Sequence, residues 1–101
     1  MKAVFISFYQ AFYDEVIEVL DKHQIKGFTS WNEVLGRGSD GGEPHYGTHA
    51  WPTINSAIIT FIADDKVKPL LKDIHALDLT APMQGIRAFV LQAEEYTDKD
   101  V

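Results

Sequence analysis

Apolar and polar positions along the chain fall into six blocks, and the spacing inside each block names an element. Ala3 to Tyr9 is apolar and β-branched, broken only by Ser7. That pattern predicts a central strand buried on both faces. From Tyr13 to His23 the apolar residues Tyr13, Val16, Ile17, Val19 and Leu20 recur at helical spacing among acids and Lys22, which predicts an amphipathic helix. Gln24 to Gly27 is its exit, with Gly27 as the expected left-handed stop. Phe28 to Leu35 and Ser56 to Ala63 read as strands. Asp64 is the expected N-cap of a second helix, with Val67, Leu70, Leu71 and Ile74 as its apolar face and His75 near its end. Pro69 is tolerated if it lies in the first turn, so the regular helix is expected to begin near Lys66. Ala76 to Gly85 reads as turn, and Arg87 to Gln92 as the last strand.

Strand, helix, strand, strand, helix, strand is a duplicated split unit, and right-handed crossovers fold it in one way. The expected class is α+β: a ferredoxin-like βαββαβ sandwich with a four-stranded antiparallel sheet and both helices on one face. The whole chain, 1–101, is then one domain. The opposite sheet face stays uncovered, with Phe8 or Trp31 expected on it or at an interface. An uncovered apolar face predicts assembly.

Composition narrows the function. The 101 residues are 46% hydrophobic and 12% aromatic, enough for one core. Formal charge is −6 with no basic cluster, which argues against nucleic acid and anionic membrane surfaces as partners. With no cysteine, disulfides, thiolate metal sites and thiol nucleophiles are excluded. The amino-terminal apolar run is short, holds Ser7 and Gln10 and ends in Asp14 and Glu15, so it predicts structure rather than a leader or a membrane span. A cytoplasmic protein is expected. Asp64 with Asp65 reads as helix capping rather than as a paired acid site, and His23 and His75 as helix-end residues.

Residues 36–55 are too long for an ordinary connection and hold five of the seven glycines, two prolines and two of the four histidines. Glu43, His45 and His49 form a candidate site for a divalent transition metal, since imidazole suits Zn, Cu, Ni or Co. The competing reading is a pair of histidines that are merely solvated or hydrogen-bonded. Tyr46 and Trp51 are candidate partner anchors, or pins that hold the loop to its own subunit. No nucleophile elbow or Walker loop is present, and the glycines of GRGSDGG lack the lysine and spacing of a P-loop. No enzymatic activity is expected. A small ferredoxin-like enzyme of the monooxygenase type and a pure interaction module are the alternatives.

The element order, with LGRGSDGGEPHYGTHAWPTIN between the second and third strands, resembles the PII signalling proteins and their PII-like relatives over nearly the whole chain. Gly36 and Gly38 match the Gly-x-Gly step that opens the family's T-loop. IADDKVKPLLKDI resembles the start of its second helix, and TAPMQGIRAFV lies where the family's nucleotide-binding B-loop falls. The resemblance implies a homotrimeric regulator whose long loop senses a small ligand or metal ion and contacts a transporter or regulatory protein. A link to metal efflux or transport is implied by relatives encoded beside such systems. It also implies Gly36, Gly38, Gly85 and Arg87 as cofactor contacts. The departures predict against ATP binding of the PII type: only Arg87 offers a cation in the B-loop region, Glu94 and Glu95 follow the last strand in the acidic tail 94–101, and Ser39 replaces the glutamine after the Gly-x-Gly step.

Overall fold

The computed structural model of the protein describes residues 1–36, 45–47, 54–81 and 84–97. Six elements appear in the expected order: β1 (Lys2–Tyr9), α1 (Tyr13–Lys22), β2 (Thr29–Val34), β3 (Asn55–Ile62), α2 (Val67–Asp78) and β4 (Arg87–Gln92). A single 3₁₀ turn leads into each helix, at Gln10–Phe12 and Asp64–Lys66. The strands form one sheet in the order β2-β3-β1-β4, with every neighbouring pair antiparallel. This is the ferredoxin-like α+β architecture.

Alternation along β1 decides what the helices cover. Val4, Ile6 and Phe8 point to one side and meet Ile58 and Ile62 of β3, Val16 and Leu20 of α1, and Leu70 and Ile74 of α2 in one core. Each of these side chains is buried, and each contributes roughly 1.5–3 kcal/mol relative to exposure. Phe8 is therefore a core residue and not part of the uncovered face. The other side of β1 is Ala3, Phe5 and Ser7, of which only Ala3 is buried. Burial on both faces, expected from the apolar run, is thus incomplete in the single subunit. With Trp31, Ala57, Ile59, Phe61, Phe89 and Leu91, the register puts these residues on the face that no helix covers.

Helix ends depart from the sequence pattern in instructive ways. The left-handed residue after α1 is Gln24, at φ 59°, and not Gly27. Ile25 donates to the carbonyl of Leu20 at 2.9 Å and Gln24 to that of Asp21 at 2.9 Å, which is a Schellman closure. Burial of Ile25 beside Leu20 in the core holds that closure in place. His23 does not act through the helix dipole alone, because its Nε2 donates to Asp73 of α2 at 2.7 Å. Asp64 makes no side-chain capping bond; it pairs with the Met1 amino group at 2.9 Å. Pro69 falls in the first turn of α2, and the helix runs to Asp78, past the expected turn at Ala76.

Candidate functional site

The site is built where β2 ends. Trp31 pairs with Ala57 and Val34 with Asn55, so β2 uses three steps where β3 uses two. That irregularity places Trp31 and Val34 on the same face although they are an odd number of residues apart. The carbonyl of Asn32, within the irregular stretch, accepts from Ser56 Oγ at 2.6 Å and from Gln10 Nε2 at 3.0 Å. Both bonds fix the stretch against β3 and against the turn after β1.

Beyond Val34 the chain pairs with itself twice. Gly36 donates to His45 O at 3.0 Å, His45 donates back to Gly36 O at 2.7 Å, and Tyr46 bridges to Ile54. Residues 45–46 thus form a short rung between the two ends of the long segment. A Cβ on Gly36 would lie 2.8 Å from Asn55 Nδ2, which is why glycine stands at this approach.

His45 is wholly buried and hydrogen-bonded at both ring nitrogens, so of the competing reading the hydrogen-bonded half holds and the solvated half does not. Its Nδ1 is hydrogen bonded to the Asn55 side-chain amide, its Nε2 to that of Gln84 at 2.9 Å, and its ring lies 5.2 Å from that of Tyr9. A metal would have to displace one of these bonds to reach His45. Glu43 and His49, the other candidate ligands, lie outside the described residues, as do Gly38, Trp51 and the position of Ser39. Among the described residues no three His, Cys, Asp or Glu side chains cluster as a metal site. Tyr46 is half-buried on the rung.

Gly85 takes φ 69°, so the turn before β4 needs its freedom from a Cβ. Asp78, in the last turn of α2, accepts from the Ile86 amide at 2.8 Å and from Arg87 at 3.0 Å. Arg87, the expected phosphate contact, is therefore already paired with a carboxylate and also donates to Ile86 O at 2.8 Å. His75 and Asp78 line a separate cleft beside Arg87, between α2 and the edge strand β4.

A cleft of about 410 Å³ opens on the uncovered sheet face, with Gly36 at its edge. Its walls are Phe5, Trp31, Val34, Leu35 and Ala57, and Ser7, Gly36 and Asn55 supply its polar edge. That size and lining are those of a small-molecule site. Of these, sequence reasoning named only Gly36 as a site residue; Trp31 was read as interface or core, and Asn55 only as the end of the 36–55 segment. Phe5, Ser7, Val34 and Asn55 reach the cleft through register and the β2 irregularity, which leave no local signal.

No family model and no curated protein matches the sequence. Solved structures do. CPII from Thiomonas intermedia K12, a nitrogen regulatory PII-like protein solved with ADP, AMP and bicarbonate, superposes with a TM-score of 0.72 at 23% identity, over 89% of this chain and 82% of that one. Its apo form gives 0.65 at 18% identity, over 91% and 89% of the two chains. A PII-like signalling protein from Thermus thermophilus gives 0.62 at 18% identity, over 89% and 83%. The ferredoxin-like sandwich is thus the one built by regulatory proteins of this type. More narrowly, the chain has the fold of the PII-like proteins, as the sequence resemblance implied.

Proposed function

We propose that the chain is the subunit of a PII-like homotrimeric regulator whose ligand enters the cleft bordered by Gly36 and Asn55, the two ends of the 36–55 segment, and that it works by binding rather than by catalysis. The observation that carries this is the cleft itself, apolar on the uncovered face and bordered by Gly36, whose backbone pairs with His45. Occupancy there bears directly on the base of the long segment, and that segment then presents a changed surface to a transporter or regulatory protein.

Trp31, Phe5 and Leu35 suit a flat, weakly polar group such as a nucleobase. The solved relative's ADP and AMP make an adenine ligand the first to test. The phosphate end has poor support in this chain. Arg87 is engaged by Asp78, and the residues after β4 include Glu94 and Glu95. Recognition is therefore expected to rest on the base and not on phosphate charge.

Calorimetry with adenosine, AMP, ADP and ATP, each with magnesium and with bicarbonate, tests the reading. Adenosine and AMP are expected to bind with affinities within a few-fold of one another, with no gain from further phosphates. Affinity rising stepwise with phosphate number would refute the ligand assignment, and silence from all four would refute the cleft as a nucleoside site.

A further inference from the structure

His45 joins two parts of the chain that are 39 residues apart. One is the base of the 36–55 segment, which its backbone closes against Gly36. The other is the turn before β4, reached through Gln84. From Gln84 the chain passes Gly85 to Ile86 and Arg87, both tied to Asp78 at the end of α2. Every link in this path is a hydrogen bond to a buried or half-buried group. A polar side chain with no exposure is expensive to leave unpaired, so these partners are held to one arrangement.

The ring also has a choice to make. Both of its neighbours present amide oxygens, and a neutral imidazole donates at only one nitrogen. Either the ring carries two protons, or one amide turns to offer its NH₂. The elements packed against it are β1 through Tyr9, the end of β2 through Gly36, β3 through Asn55 and the pre-β4 turn through Gln84; Tyr9 is the one titratable partner among these contacts.

We propose that His45 is the pin that couples the 36–55 segment to the pre-β4 turn and α2, so that opening the base of the segment releases Gln84. Its role as a relay for ligand binding rests on the regulatory reading above; the coupling itself does not. The pin transmits because the two segments have no covalent proximity, and a packed, hydrogen-bonded network has few intermediate arrangements.

Backbone hydrogen exchange by NMR on the whole, ligand-free chain tests it, comparing the wild type with Gln84→Met. Methionine keeps the length and bulk of glutamine but offers the ring no amide. Loss of one ordinary hydrogen bond is expected to speed exchange of the Gly36 and His45 amides about five-fold, while Val4 and Ile58 in the core keep their rates. Unchanged rates at Gly36 and His45 overturn the proposal, and so does equal acceleration at all four positions, which would mean general loosening. Gln84→Glu gives a second readout if methionine is not accommodated. A carboxylate keeps an acceptor opposite Nε2, so the Gly36 and His45 amides are expected to hold their wild-type exchange rates; acceleration at those two positions overturns the contact. Because no ligand is present, these results stand or fall apart from the nucleoside titration.

Discussion

Replacing Phe89 with Asp is expected to break the proposed homotrimer without unfolding the subunit. Phe89 lies on the uncovered face of the edge strand β4 with 58% of its surface exposed, next to Leu91 at 56% and across the sheet from Phe61 at 55% and Trp31 at 47%. An aromatic side chain presents roughly 200 Å², so covering Phe89 removes about 115 Å² from water. At roughly 25 cal/mol/Å² that is about 3 kcal/mol for each subunit and about 9 kcal/mol for a trimer. Such a loss lowers the association constant by roughly six orders of magnitude. In a monomer–trimer equilibrium the midpoint concentration follows its square root, so it rises by about a thousandfold. The assay is light scattering with sedimentation across the micromolar to millimolar range, with circular dichroism as the check that the fold is kept. The side chain makes no core contact, so the fold itself should change little. A wild type that is monomeric at micromolar concentration, or a folded Phe89→Asp that remains trimeric at the wild-type midpoint, would refute the reasoning.

Two further outcomes follow from the helix ends. Gln24→Gly is expected to stabilise the protein by about 0.5–1 kcal/mol, since a non-glycine residue in the left-handed region costs about 1–2 kcal/mol and glycine gives back part of that in the unfolded chain; a urea midpoint that stays level or falls would argue against the Schellman closure. Asp73 has its carboxyl pKa lowered, first by the hydrogen bond from His23 and then by that from Lys22. A lowered folded value means its contribution is complete above the ordinary carboxylate value of 3.8 and disappears as pH falls through the folded value. Urea unfolding followed from pH 6 downward should therefore show a loss in acid that Asp73→Asn flattens, and an unaltered acid slope in the variant would count against the pairing between the helices.

The strands and helices were legible because each carries its period in a short window. Arg87 to Gln92 is the observed β4, and the other strands agree to within a residue or so at each end. What failed depended on neighbours that a window does not contain. Gln24 is left-handed because Ile25 must reach the core beside Leu20, a demand that outweighs the greater freedom of Gly27. Phe8 was assigned to the open face because its side of the strand cannot be told without the register against Ser56. The α2 residues beyond His75 were taken for turn, although Leu77 packs on the core and holds the helix regular to Asp78.

The site was less legible than the fold. Length, glycine content and the Gly-x-Gly step marked residues 36–55 as the segment of interest, and the structure puts a cleft at their base. His45 looked like a surface ligand because the residues just before it, Gly36 to Pro44, include no large apolar side chain. Its burial depends on Asn55, Gln84 and Tyr9, three residues from three other elements. Arg87 looked free because its partner, Asp78, stands in what reads as a turn.

The rung at His45 and Tyr46 also bears on how this protein can vary. Backbone pairing holds both ends of the stretch between Gly36 and His45, and both ends of that between Tyr46 and Ile54. Closing a flexible loop costs only about 0.6 kcal/mol more each time its length doubles. Either span can therefore lengthen, shorten or accept an inserted peptide while the other keeps its ends in place. Descendants of this sequence could alter one span without relearning the other, and a protein engineer has two insertion points whose ends are separately held.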